Sequence, residues 1–230
     1  MKASDIHDVT VIGAGPAGLS VAYELTKAEL TPLVLERTLA VGDVWRNHYD
    51  GLRLNTGRFL SALPGSKFPR STGAWPSRDA VVHLLETFPA RGGFTVQTGI
   101  EIKKVSYDRN RDIWLITSSD GRQFESRAVV MAIGTCRIPV IPEWEGREAF
   151  PGEIIHSSKF KRAQDYAGKH VLVIGSGNSA AEIASRLTEY ASSVAMSVRT
   201  PPYFLPKSIY GIPIVGLGIG LKHLPNNLVD

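Results

Sequence analysis

Asp8-Val9-Thr10-Val11-Ile12-Gly13-Ala14-Gly15-Pro16-Ala17-Gly18 is the stretch whose reading decides the fold. Val9, Thr10, Val11 and Ile12 are all β-branched and suit a buried strand. The glycines then fall as G-x-G-x-x-G, and Leu19 to Leu30 reads as a helix. Strand, glycine-rich turn and helix in that order make a dinucleotide site. Gly13 permits the tight turn, Gly15 lets the backbone approach a pyrophosphate, and Gly18 lets helix and strand pack closely. Ala14, Pro16 and Ala17 complete the turn, and the helix start offers N–H groups and partial positive charge to phosphates. The next strand, Pro32-Leu33-Val34-Leu35-Glu36, ends in an acid. A carboxylate about 20 residues beyond the fingerprint accepts hydrogen bonds from ribose hydroxyls and repels a 2′-phosphate. The site therefore takes FAD or NAD rather than NADP.

The pattern returns late in the chain. His170-Val171-Leu172-Val173-Ile174 reads as a buried strand. Gly175-Ser176-Gly177-Asn178-Ser179-Ala180 follows as G-x-G-x-x-A, Ala181 to Tyr190 as helix, and Ser193 to Val198 as a second strand. The position equivalent to Glu36 holds no acid. Arg199 stands at this strand end, where a guanidinium pairs with a 2′-phosphate, so the second site is assigned to NADPH. Strand, glycine loop, helix and strand at both ends form a duplication of architecture, not a short-period repeat. The prediction is an α/β chain with two Rossmann-like dinucleotide-binding units, the second incomplete.

Between the fingerprints, residues 41–56 form a long segment without a clear period, and such a segment is usually functional. Ser77 caps a helix with Val81, Leu84, Leu85 and Phe88 on one face; His83 reads as a surface residue. Strands are expected at Phe94 to Gln97, Ile100 to Tyr107, Asp112 to Ser118 and Gln123 to Ala132, with a turn at Asp120-Gly121. They predict an antiparallel meander laid on the first unit, closed by Ala132-Ile133-Gly134-Thr135. The prolines of Ile138-Pro139-Val140-Ile141-Pro142 mark a linker. The expected domains are 1–140, a linker at 141–168, and 169–230.

Composition narrows the class. Hydrophobic residues make up 43% and charged residues 21% of 230, as in a globular protein. A net charge of +4 with no basic, aromatic-interleaved run argues against nucleic acid. The one cysteine, Cys136, cannot form an internal disulfide or a C-x-x-C pair, which removes thioredoxin-reductase-like chemistry. The polar N-terminus lacks the apolar core of a signal peptide. The apolar run from Ile209 to Leu221 is short, broken by glycines, and no membrane span. A cytoplasmic protein is expected. No Ser/His/Asp triad, metal-ligand cluster or paired carboxylates stands out.

Phe150-Pro151-Gly152-Glu153-Ile154-Ile155-His156-Ser157-Ser158-Lys159-Phe160 lies between the fingerprints. Read as F-x-G-x-x-x-H-x-x-x-F, it resembles the signature of the flavin-containing monooxygenases and their Baeyer–Villiger relatives. The resemblance implies FAD at the first site and NADP at the second. It implies an NADPH- and O2-dependent oxygenation of a soft nitrogen or sulfur nucleophile in a small molecule, through a C4a-hydroperoxyflavin, with the cofactors carrying the chemistry. Val44 and Trp45 match the family's flavin-contacting pair, Asn55-Thr56 its step beside the reactive ring, and Gly134 the strand end of two-dinucleotide flavoproteins. Asn55 is the candidate for an amide hydrogen bond near the flavin, and His156 for an orienting role. Core packing of Trp45 and a turn role for Asn55 are the plainer alternatives.

The signature ends in Phe160, as in the flavin-containing branch, where Baeyer–Villiger enzymes usually carry tryptophan. Trp45-Arg46 and Tyr49-Asp50-Gly51-Leu52-Arg53 nevertheless resemble the Baeyer–Villiger W-R and Y-P-G-x-R pattern, so ketone oxygenation is the alternative activity. Family chains continue well beyond residue 230. The chain is therefore expected to be a truncated form, acting as a homo-oligomer or with a complementing C-terminal segment, or a non-catalytic FAD-binding fragment.

Overall fold

The computed structural model describes residues 6–135, 138–201, 205–209, 212–215 and 219. It divides into two compact units. One comprises Met1–Asn47 and Arg53–Arg137; the other comprises His48–Leu52 and Ile138–Asp230.

The first unit runs β1 (His7–Ile12), α1 (Pro16–Lys27), β2 (Pro32–Leu35), a single turn α2 (Asp43–Arg46), α3 (Arg78–Gly92), β3 (Thr95–Gln97), β4 (Ile102–Asp108), β5 (Ile113–Ser118) and β6 (Gln123–Met131). Its six-stranded sheet has the order β3-β2-β1-β6-β5-β4. β1 pairs in parallel with β2 (Val11↔Val34) and with β6 (Val11↔Val130). β4, β5 and β6 pair antiparallel, so β6 serves both the nucleotide-binding sheet and the meander. The Phe94–Gln97 segment, expected in the meander, does not join it. It becomes β3, parallel to β2 with Val34↔Val96. A parallel neighbour needs a crossover, which α3 supplies; a three-residue strand carries no sequence signal of its pairing partner.

The period-2 alternation of β1 and β2 sorts their side chains onto two faces. Val9, Val11 and Val34 pack under α1 and α3 with Leu19, Ala22, Leu85 and Phe88. Ile12, Leu33 and Leu35 face the other way, onto Ile100 and Ile116, with Ile102, Val105 and Phe124 of the meander. Ser77 caps α3 by accepting from the Ala80 N–H at 3.2 Å. α3 continues past the expected Phe88 and through Pro89, ending where Gly93 adopts φ 71° and donates to the Pro89 carbonyl. The burial of Phe88 and Gly92 outweighs the backbone hydrogen bond that Pro89 cannot make.

The second unit holds β7 (His170–Ile174), α4 (Asn178–Leu187) and β8 (Ser193–Ser197), with β7 and β8 parallel (Leu172↔Ala195). A two-residue antiparallel ladder joins β9 (Ser208–Ile209) and β10 (Ile212–Pro213). The core of this unit is Tyr49, Phe160, Ala163, Ile183 and Leu187, lined by Val171, Val173 and Val194. Leu172 and Ile174, on the opposite face of β7, stay exposed. Tyr49 enters this core from a five-residue piece of chain whose neighbours on both sides belong to the first unit. Among the described residues, no helix is long and apolar enough to cross a membrane.

Candidate functional site

In the first unit the fingerprint is a tight turn braced from below. Gly13 takes φ +106°, and its N–H donates to the Leu35 carbonyl at 2.8 Å. A Cβ on Gly18 would lie 1.9 Å from the Gly13 carbonyl oxygen, so α1 meets the turn backbone to backbone. Gly15 differs from both: a Cβ there would meet nothing within 4 Å, so no packing requires a glycine. It is the N-cap of α1, it offers no capping side chain, Pro16 follows, and the first turn holds no acid. Ala14 is buried, whereas Pro16 and Ala17 are exposed. The turn thus presents bare backbone at a helix N-terminus, which fits the pyrophosphate of a dinucleotide.

Glu36 is not a solvated residue at a strand end. It is buried, and its Oε2 accepts from the Ala14 N–H at 2.8 Å while Oε1 accepts from the Thr38 N–H and Thr38 Oγ1, each at 2.9 Å. A carboxylate offers about four lone-pair sites, so capacity remains for a ribose hydroxyl. The acid therefore also ties the fingerprint to the end of β2. Replacing it strands the buried Ala14 N–H. Glu36→Ala is expected to lower the free energy of unfolding by about 1–3 kcal/mol. Urea denaturation measures this, and an unchanged midpoint would show that the turn stands without the carboxylate.

Trp45 is half-buried against the helix-side core of this unit, and Val44 beside it is exposed. Asn55 and Thr56 lie exposed on a segment held by Leu54 N–H to the Pro76 carbonyl (2.9 Å), an Arg53↔Ser77 bridge and Arg58 N–H to the Ala74 carbonyl (2.9 Å). Thr56 Oγ1 pairs with Ser61 Oγ. Gly134, beyond β6, takes φ +75° with nothing within 4 Å of its would-be Cβ. Cys136 lies outside the described residues.

The second unit repeats the turn in a looser form. Gly175 takes φ +122° and donates to the Ser197 carbonyl at 2.9 Å, the counterpart of the Gly13–Leu35 bond. Ala180 replaces the third glycine, and a Cβ on Gly175 would lie 3.9 Å from it. Gly177 caps α4 with nothing within 4 Å of its would-be Cβ and no acid in the first helical turn. Ser176, Asn178 and Ser179 are exposed around it. A cavity of ≈ 430 Å³ is lined by Gly175, Ser176, Ser197, Arg199 and Thr200, with Ile174 and Val198. Arg199 thus lines the same cavity as the fingerprint residues Gly175 and Ser176. Ser197 and Thr200 were missed by sequence reading; the only signal was their place beside Arg199 at the strand end. Hydroxyls flanking a guanidinium suit an anionic oxygen cluster.

In the signature, Phe150 lays its ring on Gly152, where a Cβ would approach it to 2.5 Å. His156 caps a short helical turn: its Nδ1 accepts from the Ser158 N–H at 3.2 Å and lies 3.0 Å from Ser158 Oγ. Phe160 is buried, stacked on Tyr166 at 5.4 Å and edge-on to Tyr49 at 5.9 Å. The Tyr49 hydroxyl donates to Glu182 Oε2 at 2.6 Å, and Arg186 lies 5.7 Å from its ring centre. Burial, then the hydrogen bond to Glu182, raises the Tyr49 pKa far above its usual value and keeps it protonated. Among the described residues no cluster of His, Cys, Asp and Glu could hold a metal ion.

The family described as pyridine nucleotide-disulphide oxidoreductase matches residues 10–210. The indole-3-pyruvate monooxygenase YUCCA1 of Oryza sativa subsp. japonica is 32% identical over 227 residues, covering 98% of this chain and 56% of its own length. The chain therefore spans about half the length of the curated relatives it matches. The flavin-containing monooxygenase from Stenotrophomonas maltophilia superimposes with a TM-score of 0.83 at 31% identity, over 89% of this chain and 61% of that one. Cyclohexanone monooxygenase from Rhodococcus sp. Phi1, solved with NADP+, gives 0.70 at 26% identity, over 89% and 40%.

Proposed function

Because the chain belongs to the pyridine nucleotide-disulphide oxidoreductase family, on its flavin-monooxygenase branch, we propose that it serves as an NADPH- and O2-dependent flavoprotein monooxygenase. FAD sits at the fingerprint of Gly13, Gly15 and Gly18, and NADP(H) at that of Gly175 and Gly177. The observation that carries this reading is the contrast between two similar turns. One is closed by the buried Glu36, the other by the exposed Arg199 among hydroxyls. An acid rejects a 2′-phosphate and an arginine recruits one. Disulphide chemistry, which the family's description names, needs a thiol pair, and these 230 residues hold one cysteine.

When bound, the nicotinamide supplies hydride and the flavin activates oxygen. The chain's own task is to bind, orient and exclude water. The backbone at Gly15 and Gly177 takes the pyrophosphates, Glu36 the flavin-side ribose, and Arg199, Ser197 and Thr200 the 2′-phosphate. Val44, Trp45, Asn55, Thr56 and Gly134 are assigned to the flavin surroundings, with the Asn55 amide as hydrogen-bonding group. The His156 ring is held within its own turn and orients the signature segment. We assign 1–140 to the flavin-binding domain, except that His48–Leu52 packs with the second unit, 141–168 to the linker and 169–230 to the NADPH-binding part.

For substrate, the first reading is a soft nitrogen or sulfur nucleophile, supported by a signature that ends in Phe160, as in the flavin-containing branch. A carbonyl substrate is the second reading, favoured because relatives are named for indole-3-pyruvate and cyclohexanone. Offering a sulfide, an amine, indole-3-pyruvate and cyclohexanone to the purified protein with NADPH separates the two. The reading as a whole is tested by the visible spectrum: a flavin absorption that bleaches on adding NADPH is expected, and a protein that takes up no FAD would refute it. Arg199→Ala is expected to lose at least about tenfold in preference for NADP+ over NAD+, one charge-assisted contact's worth. Direct nucleotide titration measures it, and a wild type that binds both equally would exclude the assignment.

A further inference from the structure

The segment His48–Leu52 leaves the first unit, packs in the second and returns. Five interactions hold it there. Tyr49 fills the core beside Phe160, Ile183 and Leu187. Its hydroxyl donates to Glu182, and its ring carries the Arg186 guanidinium. Arg186 Nη2 donates to the Gly51 carbonyl, and the Asp50 N–H donates to the Lys161 carbonyl at 2.9 Å. Gly51 takes φ +72°, and a Cβ there would lie 2.6 Å from Arg186 Nη1.

Plain adhesion would not need this polarity. Burying a phenol against a carboxylate, beside an arginine whose Nε is buried without a partner, costs desolvation that an apolar contact avoids. Such polar pairs fix register, because only one placement satisfies them. The helix that fixes it is α4. Its N-terminal turn carries Gly177, Asn178 and Ser179, and Glu182 and Arg186 follow one and two turns later. The fixed segment is flanked by Trp45 on one side and Asn55 on the other. Four residues span at most about 14 Å when extended, so Trp45 and Tyr49 stay within that reach of each other.

We propose that Glu182 and Arg186 are positioning residues that clamp His48–Leu52 to α4 and thereby couple nucleotide binding at the second fingerprint to flavin binding at the first. The coupling rests on the cofactor assignment above. Ordering of α4 by a bound pyrophosphate sharpens the clamp. The clamp restricts the segment that carries Trp45 and Asn55. By linkage, FAD then tightens NADP+ as much as NADP+ tightens FAD.

The experiment titrates FAD into the flavin-free 230-residue protein, with and without saturating NADP+, and reads flavin fluorescence. The ratio of the two dissociation constants is the coupling. Wild type is expected to give at least about fivefold, the lower end of common couplings. Tyr49→Phe and Arg186→Met are expected to bring the ratio to within about twofold of unity. Glu182→Gln, which keeps an acceptor oxygen, should retain the wild-type ratio. Hydrogen exchange over residues 41–56 should slow on adding NADP+ alone in wild type and not in Tyr49→Phe. A purely structural role would weaken both affinities and leave the ratio unchanged. That result, or a wild-type ratio of one, overturns the coupling. A wild type that binds neither FAD nor NADP+ alone overturns the functional reading itself.

Discussion

Gly15→Val is expected to yield a folded, colourless protein. A Cβ at this position meets nothing within 4 Å, and the residue sits in extended backbone (φ −78°, ψ −178°) that valine adopts readily. Thermal stability without flavin should therefore stay close to wild type. The branched side chain instead fills the space above the α1 N-terminus, where the proposed pyrophosphate must approach the backbone. Flavin released by heat from equal amounts of purified protein measures the effect, with a loss of at least about 100-fold in affinity expected, some 2.7 kcal/mol. Normal flavin content would end the assignment of this turn to FAD.

Gly18→Ala tests the same fingerprint from the opposite side. Its new methyl would lie 1.9 Å from the Gly13 carbonyl oxygen and 3.3 Å from the Ala132 side chain. Neither the turn nor β6 can retreat cheaply, because Gly13 N–H is bonded to Leu35 and Ala132 N–H to Ile12. A cost of at least about 3 kcal/mol is expected, the upper part of the overpacking range. Such a loss is a large fraction of a domain's stability, so soluble yield should fall with it. Urea unfolding of wild type and variant, both without flavin, gives the number. A Gly18→Ala protein as stable as wild type would mean that helix and turn separate more easily than their contact implies. The two glycines are identical in the motif, yet one loss is of ligand and the other of fold.

Much of the first unit is legible because strong local signals agree. β-branched strands, alternating burial on β1 and β2, and a capping serine at Ser77 all point to one architecture. The pairing of β3 has no local signal, because three residues cannot declare a partner, and Pro89 hides the last turn of α3. Both fingerprints are legible from glycine spacing set between a strand and a helix. Glu36 was found for its acidity, but its bonds to Ala14 and Thr38 depend on where the turn folds back. Glu182 and Arg186 carried no signal, since two charged residues four apart on a helix read as a solvated pair. Their partner Tyr49 lies in a segment with no period, and no local rule points from one to the other.

That distance also has a cost in time. Tyr49 and Glu182 are 133 residues apart in the chain. At ribosomal rates of about 5–20 residues per second, the tyrosine emerges roughly 7–27 s before its acceptor is made. Through that interval the first unit can close its sheet, but the Tyr49 hydroxyl still lacks the Glu182 acceptor that it meets in the folded chain. Phe160 and Lys161 reach the loop between Asn47 and Arg53 first, and the pairing with Glu182 and Arg186 is completed only when α4 arrives, so slowed elongation downstream would lengthen the interval. Synthesis order therefore makes this loop the last part of the first half to settle, and the part on which chaperones have longest to act.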